Sequence, residues 1–140
     1  MRFMPQSHHE LLAHLVFSTK GRKGWIGVGI RPRIHGFMAK VLRDCGVKYV
    51  EVGGTEDHVH LLFAVIGTMP TTKCVEQVKS LSSKFVKGLG DDYGEFKWQR
   101  GYGMFSVSPD QREEVAGYVR NQEEHHRTKT FQEEYRELLA

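Results

Sequence analysis

The chain has 140 residues, of which 39% are apolar, and a formal net charge of +3. This length supports one domain with a hydrophobic core and is short for two, so residues 1–140 are interpreted as a single domain. Cys45 and Cys74 have no metal-type spacing, which argues against a disulfide framework or a zinc ribbon and favours a reduced, cytoplasmic compartment. No apolar run approaches the roughly 20 residues of a membrane span, and residues 1–12 lack the apolar core of a signal peptide. We therefore expect a soluble protein that is not exported.

The charge is distributed unevenly along the chain. Residues 20–48 hold eight basic side chains and one acidic side chain, whereas residues 110–124 hold five acidic and two basic side chains. A segregated basic half is what a polyanion-binding surface requires, because each neutralised phosphate releases condensed counterions. A solubilising surface explains the same charges equally well. Charge alone therefore leaves nucleic-acid binding open.

The first third of the chain predicts one strand and one helix. Residues 1–10 lack periodicity and are interpreted as an exposed lead-in. Residues 11–20 are rich in strand formers and apolar on both faces, which predicts a central strand in which His14 packs beside a site. Residues 21–29 hold four glycines and indicate a flexible basic loop. Residues 32–45 carry apolar side chains at helical spacing and a basic opposite face, which predicts a helix.

The middle of the chain predicts a β-hairpin, a second helix and a fourth strand. Residues 48–53 and 57–66 are strand patterns, and a tight turn is predicted at residues 53–57 between them. Residues 75–89 carry an apolar stripe at helical spacing, with lysine and serine at the remaining positions. Residues 96–108 are aromatic and interrupted by glycine, and they lead into the fourth strand.

Two helices are predicted to close the chain, over residues 110–126 and 130–139. The predicted docking stripe of the last helix consists of Phe131, Tyr135, Leu138 and Leu139. The order β-α-β-β-α-β followed by helices predicts an α+β, ferredoxin-like (RRM-like) split βαβ fold, with a four-stranded antiparallel sheet whose first and third strands are central. Nucleic-acid binders and enzymes share this fold, so the fold alone does not name a function.

Two histidines separated by one residue stand at the head of the third strand. Alternate strand residues share a face, so His58 and His60 point the same way, with their backbones about 6.6 Å apart. Converging imidazoles at that separation can hold one metal ion. Paired histidines packed in a core produce the same pattern, so the pair alone is ambiguous.

A second informative pattern lies in the predicted helix 110–126. Tyr118, Gln122 and His125 stand at i, i+4 and i+7 and so share one face. Two imidazoles and an amide oxygen leave open positions on a divalent ion, which can polarise a phosphodiester. A phenol, with an ordinary pKa of about 10, gains from attacking such a phosphate, and the phosphotyrosine product keeps the bond energy for rejoining. An amphipathic helix with a packed tyrosine and an exposed glutamine is the alternative.

Four separated blocks resemble the small HUH single-tyrosine transposases of bacterial insertion sequences. The blocks are AHLVFSTK at 13–20, DHVHLL at 57–62, WQRGYGMFSVS at 98–108 and YVRNQEEHHRTKTFQEE at 118–134. They occur in the family's order, and the similarity covers nearly the whole chain. The glycine-rich segment 21–30 departs from the basic, proline-containing stretch expected there, which leaves its DNA contacts undefined.

The resemblance implies an enzyme that cleaves and rejoins single-stranded DNA at the ends of an insertion sequence. It implies that His58, His60 and Gln122 bind Mg²⁺ or Mn²⁺. It also implies that Tyr118 is the nucleophile, which forms a 5′-phosphotyrosine and releases a 3′-hydroxyl. The implied DNA is held through a nearby hairpin. The implied assembly is a homodimer in which the tyrosine helix of one protomer can complete the histidine site of the other.

Basic residues of the first loop and the first two helices form the predicted DNA surface. They are Lys20, Arg22, Lys23, Arg33, Lys79 and Lys84. The enzyme is expected in the cytoplasm, and at the nucleoid when it is bound to DNA. Two other functions stay open: a domesticated hairpin-binding protein without catalysis, and a zinc-dependent hydrolase that uses His58 and His60 with His125 or His126.

Overall fold

The computed structural model describes residues 11–126 and 129–139, in which four strands form one antiparallel sheet accompanied by five α-helices. The strands are β1 (Leu12–Ser18), β2 (Val50–Gly54), β3 (His58–Ala64) and β4 (Gly103–Val107). The helices are α1 (Arg31–Asp44), α2 (Thr71–Lys87), α3 (Arg112–Arg120), α4 (Gln122–His125) and α5 (Phe131–Leu139). The predicted lead-in at residues 1–10 lies outside the described residues. Within the described ranges, no helix is both long and apolar enough to cross a membrane.

β1 and β3 occupy the centre of the sheet, whose order is β2-β3-β1-β4. β1 pairs with β3 and β4, β3 also pairs with β2, and all pairs are antiparallel. Every residue of β1 is buried, and so is β3 up to Phe63. A strand buried on both faces needs apolar side chains at successive positions, which both strands have. The predicted α+β fold with these two central strands is confirmed.

The two faces of the sheet carry different layers. α1 and α2 cover one face and form the larger hydrophobic core with alternate residues of β1 and β3. That core includes Leu15, Phe17, Ile34, Met38, Leu61, Phe63, Val75 and Val78. α3 packs on the other face in a smaller cluster of Leu12, Leu62, Val107, Ala116 and Val119. Because side chains alternate along a strand, His14, His58 and His60 lie on the α3 face.

α3 approaches β2 closely at Gly53. A Cβ atom on Gly53 would lie 1.8 Å from the backbone oxygen of Val119, and a Cβ atom on Gly54 would lie 2.3 Å from the backbone oxygen of His58. Neither position has room for a side chain. The turn predicted over residues 53–57 is therefore wrong at its start, because both glycines belong to β2 and permit close packing instead.

The helix predicted over residues 110–126 is wrong as a single helix. A 3₁₀ turn at Pro109–Gln111 leads into α3, and Asn121, with φ −101° and ψ 33°, separates α3 from α4. Asparagine favours turns over helix interiors, but the spacing of the side chains on either side of Asn121 fits one continuous helix and gave no sign of this interruption. The interruption falls between Tyr118 and Gln122, whose relative position therefore depends on packing as well as on the helical repeat.

α5 docks through a residue that the predicted stripe missed. Leu139 is 65% exposed, and the side chain of Phe131 lies outside what the structure describes. Tyr135 is partly buried, with its ring centroid 6.4 Å from that of Phe105. Glu134, in contrast, is only 2% exposed. α5 therefore presents a carboxylate to the body of the protein.

Candidate active site

Strand geometry directs both histidines of β3 towards one point. His58 and His60 are fully buried. The Nε2 atoms of both face Oε1 of Glu134, and the three residues can bring one ligating atom each within 4.8 Å of the others. This is the distance range of side chains that share one bound cation.

The other ring nitrogen of each histidine is held by a hydrogen bond. His58 Nδ1 lies 2.8 Å from Asp57 Oδ1 and 2.9 Å from the Thr55 hydroxyl. His60 Nδ1 lies 2.8 Å from Nε2 of His14. A histidine whose Nδ1–H donates to a neighbour keeps a lone pair on Nε2, which is the arrangement found in metal-binding histidines. His14 thus packs beside the site, as predicted, and contacts it through His60.

Gln122 joins this group from α4 and is fully buried. Its Nε2 donates to the backbone oxygen of Tyr118 at 3.0 Å, which directs its Oε1 towards His58 Nε2, 3.2 Å away. When His58 Nδ1–H donates to Asp57, two acceptor atoms face each other across that distance. A cation bound between Gln122 Oε1 and His58 Nε2 would remove the repulsion between these two acceptors. The donor set is therefore one that a divalent ion fits.

The side chain of Tyr118 lies against the same histidines. Its ring centroid is 5.6 Å from that of His60, 6.0 Å from that of His14 and 4.5 Å from that of His125. Burial, and then interaction with the adjacent Glu134 carboxylate, raises the pKa of the Tyr118 phenol well above its usual range. The phenol is therefore neutral at physiological pH and needs activation to act as a nucleophile. The structure brings all four predicted catalytic and metal-binding residues into one cluster.

Glu134 of α5 is the member of this cluster that sequence analysis missed. Its Oε1 lies 2.9 Å from His60 Nε2, 3.4 Å from His126 Nε2 and 3.7 Å from His58 Nε2. Burial acts to raise the pKa of Glu134, but the hydrogen bond and charge of His60 outweigh it, and the pKa is lowered to about 2. One signal was present in the sequence, because this acid stands four residues before Leu138 at the edge of the apolar stripe.

His125 and His126 lie at the rim of the cluster. His126 packs on His58 with ring centroids 4.3 Å apart, and its Nε2 lies 3.4 Å from Oε1 of Glu134. His125 packs on Tyr118. Neither belongs to the group of described side chains whose ligating atoms are mutually close. Both histidines therefore lie beside the cluster without joining its group of mutually close ligating atoms.

The predicted DNA-contacting residues fall on both sides of the sheet. Lys20, Arg22 and Lys23 are exposed just after β1. Arg22 also lines a cleft of about 510 Å³ beside α5. Arg33 and Lys84 are exposed on α1 and α2, in the layer that covers the face opposite to the histidines.

Lys79 is held by the backbone that precedes β4. Its ammonium group donates to the backbone oxygens of Gln99 and Gly101, both at 2.8 Å. Partial burial lowers the pKa of Lys79. The side chain therefore stabilises this loop directly.

Comparison with known families identifies the chain. The sequence model of a family described as transposase, IS200-like, matches residues 7–122, which include the two histidines, the tyrosine and the glutamine. The chain belongs to the IS200-like transposase family. The predicted resemblance to the HUH single-tyrosine transposases is confirmed, and the protein is a DNA transposase. The match ends before α5, so this transposase carries Glu134 outside the matched segment.

Two solved structures share the fold of this transposase. A candidate transposase from Deinococcus radiodurans R1 superposes with a TM-score of 0.65 and 19% identity, covering 87% of this chain and 97% of that chain. A REP-associated tyrosine transposase bound to a REP hairpin superposes with a TM-score of 0.56 and 12% identity, covering 85% of this chain and 70% of that chain. At these identities the likeness shows the fold alone. A search of curated proteins found no match.

The transposase belongs to a metal-dependent family, and the cluster has the properties of a metal site. Burial lowers the pKa of His60 to about 4, although the Glu134 hydrogen bond opposes this, so the imidazole is neutral near pH 7 and able to ligate. Oε2 of Glu134 is buried and has no hydrogen-bond partner among the described residues. A divalent ion would satisfy both the His60 imidazole and the Oε2 atom of Glu134. The donor atoms of the cluster therefore agree with the metal dependence of the family.

The buried neutral histidines predict that the free energy of unfolding decreases in acid. Burial, and then the charge of His60, lowers the pKa of His14 to about 3, and the pKa of His60 is about 4. Unfolded chains bind these two protons near pH 6.5. Stability is therefore complete above that pH and is lost as the pH falls towards about 4, by about 1.4 kcal/mol per pH unit for each histidine.

Denaturant unfolding in EDTA at several pH values between 7 and 5 measures this loss. The variant His14→Asn is expected to show a shallower pH dependence, because one of the buried titrating groups is gone. An unfolding free energy that does not change across this interval would contradict the prediction.

Proposed function

We propose that this transposase cleaves and rejoins single-stranded DNA through a covalent 5′-phosphotyrosine on Tyr118. The observation that carries the proposal is the position of the phenol beside His60, on the face where the His58 and His60 Nε2 atoms and Gln122 Oε1 converge. DNA transposition requires strand breakage and rejoining. A tyrosine beside a cation site supports doing both through one covalent intermediate.

In the proposed reaction the Tyr118 oxygen attacks the scissile phosphorus. A bond forms between the phenolic oxygen and phosphorus, and the bond from phosphorus to the 3′ oxygen of the preceding nucleotide breaks. The phenolic proton ends on the released 3′-hydroxyl, so atoms and charge balance. Rejoining is the reverse step, in which a 3′-hydroxyl attacks the phosphotyrosine and the tyrosine leaves. The phosphodiester energy is retained throughout.

We further propose that His58, His60 and Gln122 hold Mg²⁺ or Mn²⁺. An ion bound there would polarise the phosphate and stabilise charge on the leaving oxygen. Asp57 and His14 orient the two imidazoles through hydrogen bonds to their Nδ1 atoms. The amide oxygen of Gln122 is the kind of oxygen donor that these two ions accept.

The cleft beside α5 is the proposed path of the single strand. It has a volume of about 510 Å³, and its lining includes Ser18, which pairs with His58 in the sheet. Arg22, Gln99 and Arg136 also line it. Guanidinium and amide groups suit phosphates and base edges, so the cleft can lead a strand to the cluster.

We propose that a DNA hairpin is part of the substrate, which the fold shared with a transposase bound to a REP hairpin supports. The exposed Lys20 and Lys23 adjoin the cleft and are proposed as the nearer contacts. Arg33 and Lys84, on the opposite layer, are proposed as outer contacts. Lys79 is proposed to act on DNA through the loop whose backbone it holds.

We also propose that residues 1–140 act as one domain, in a homodimer that works at the nucleoid in the cytoplasm. α3 packs on β2 and β3 of its own chain, and Tyr118 contacts its own His60. These contacts support a site in which each protomer supplies its own tyrosine.

Covalent trapping tests the proposed function. The DNA flanking the gene is searched for imperfect palindromes, and oligonucleotides that carry them are labelled at the 3′ end and incubated with the protein and Mg²⁺ or Mn²⁺. We expect an adduct that survives SDS, a released fragment with a 3′-hydroxyl, and a DNA-linked peptide that contains Tyr118. EDTA should prevent all three.

Two results would favour the other functions. Hairpin binding without cleavage or adduct under either ion would indicate a non-catalytic DNA-binding protein. Turnover without an adduct, by a protein holding stoichiometric zinc, would indicate a hydrolase.

A further inference from the structure

We propose that Glu134 of α5 is a direct ligand of the divalent ion. The ion would then be held by two histidines of β3 and a carboxylate from outside the family-matched residues 7–122. This inference rests on the proposed function and deepens it, because it adds an anionic ligand to the set of His58, His60 and Gln122.

The distances around Glu134 suit a shared ion. Its Oε1 lies 2.9 Å from His60 Nε2 and 3.7 Å from His58 Nε2. Neighbouring ligands of an octahedral ion with bonds of about 2.1 Å are separated by roughly 3 Å. Gln122 Oε1 approaches His58 Nε2 at 3.2 Å from another element. The distances from Glu134 to both histidines, and from Gln122 to His58, are therefore close to the spacing of ligands in one coordination shell.

The burial of Glu134 needs an explanation that α5 alone does not provide. Among the described carboxylates it is the one that is buried, at 2% exposure. Gln132, Glu133 and Arg136 of the same helix are exposed, and the adjacent Tyr135 is partly buried. By hydrogen-bond geometry its Oε2 has no partner in residues 11–126 and 129–139, although the nearby Tyr118 phenol interacts with the carboxylate. A buried, unsatisfied carboxylate oxygen is costly, and coordination to a cation removes that cost.

The chemistry of the ion favours a carboxylate as well. Two imidazoles and an amide are all neutral, so the set of His58, His60 and Gln122 leaves the double charge of the ion uncompensated in a buried site. Mg²⁺ and Mn²⁺ prefer oxygen ligands, and carboxylate is the strongest of these among side chains. Glu134 supplies both the negative charge and the preferred atom type.

Metal titration of the full chain tests the inference without using activity. The affinity for Mn²⁺ is measured by calorimetry for the wild type, Glu134→Gln and the matched control Glu133→Gln, which makes the same change at an exposed neighbour on the same helix. We expect the Glu134→Gln dissociation constant to rise about tenfold or more, since even outer-shell partners of metal ligands contribute about 10- to 100-fold. The affinity of Glu133→Gln for Mn²⁺ should match that of the wild type.

The outcomes separate this inference from the proposed function. If Glu134→Gln binds Mn²⁺ as tightly as the wild type or more tightly, while His60→Ala abolishes binding, the carboxylate is not a ligand and the metal site itself stands. If the wild type binds no Mn²⁺, the metal part of the proposed function fails and the Glu134 inference fails with it. Circular dichroism of each metal-free variant confirms that the comparison is between folded proteins.

Discussion

Replacing Tyr118 by phenylalanine is expected to abolish the covalent adduct and to slow strand cleavage by at least about a thousandfold, as removal of a nucleophile does in other enzymes. The phenolic oxygen is the atom that forms the bond to phosphorus, and phenylalanine lacks it. The ring of phenylalanine keeps the contacts that Tyr118 makes with His14, His60 and His125. The fold and the affinity for Mn²⁺ should therefore change little. Gel analysis of the adduct and of the cleaved strand measures the effect.

Tyr93→Phe is the matched control for this substitution. Tyr93 packs near Trp25 in the core on the opposite face of the sheet, so the same loss of a hydroxyl there should leave cleavage unchanged. An adduct that persists in Tyr118→Phe would assign the nucleophile to another residue.

Mixing two inactive variants tests whether the active site is shared between the two protomers of a dimer. Tyr118→Phe and His60→Ala each lack one half of the site. Because α3 packs on the sheet of its own chain, the mixture is expected to stay inactive. Recovery of the adduct in the mixture would show that the tyrosine of one protomer serves the histidines of the other.

Replacing Gly53 by alanine is expected to destabilise the fold by about 3 kcal/mol, the upper part of the usual range for overpacking a tight contact. The new Cβ atom would lie 1.8 Å from the backbone oxygen of Val119 and 2.7 Å from its carbonyl carbon. These are backbone atoms of α3 that cannot rotate away, so the helix must move by more than an ångström. Denaturant unfolding measures the loss of stability.

The same substitution is expected to lower the cleavage rate of the folded protein by about a hundredfold, because a misplacement of about 1 Å has that effect on aligned reacting groups. Tyr118 precedes Val119 in α3, so any shift of the helix moves the phenol away from His60.

Gly36→Ala in α1 is the control, because a Cβ atom there meets no atom within 4 Å. That variant should be as stable as the wild type or slightly more stable, with unchanged cleavage. Equal stability of the Gly53 and Gly36 variants would show that α3 adjusts without strain.

Part of the candidate site was predictable because it depends on local geometry. The period of a β-strand puts His58 and His60 on one face whatever the rest of the chain does. The helical repeat makes neighbours of Tyr118 and Gln122 in the same way, and the structure keeps them close despite the interruption at Asn121. The basic side chains of α1 and α2 show the limit of this reasoning, because composition marks them as basic without indicating which side of the sheet they occupy.

Glu134 shows the same limit of sequence-based prediction within the candidate active site. The apolar stripe of the last helix predicted docking through its hydrophobic residues, and no role was predicted for the acid at the edge of the stripe. Its burial follows from the histidines it meets, which belong to another element. A helical pattern describes one helix and carries no information about the chemistry of the surface that the helix covers.

The α+β fold, its two central strands, and two histidines on one face with a tyrosine and a glutamine one helical turn apart were all predictable from the residue pattern. All of these follow from backbone repeats of a few residues. Three other features depend on how the elements pack: α3 rests on Gly53, Gln122 faces His58, and Glu134 contacts His60. The last two contacts join residues 64 and 74 positions apart in the chain, and contacts at that separation are set by the packing of whole elements against one another.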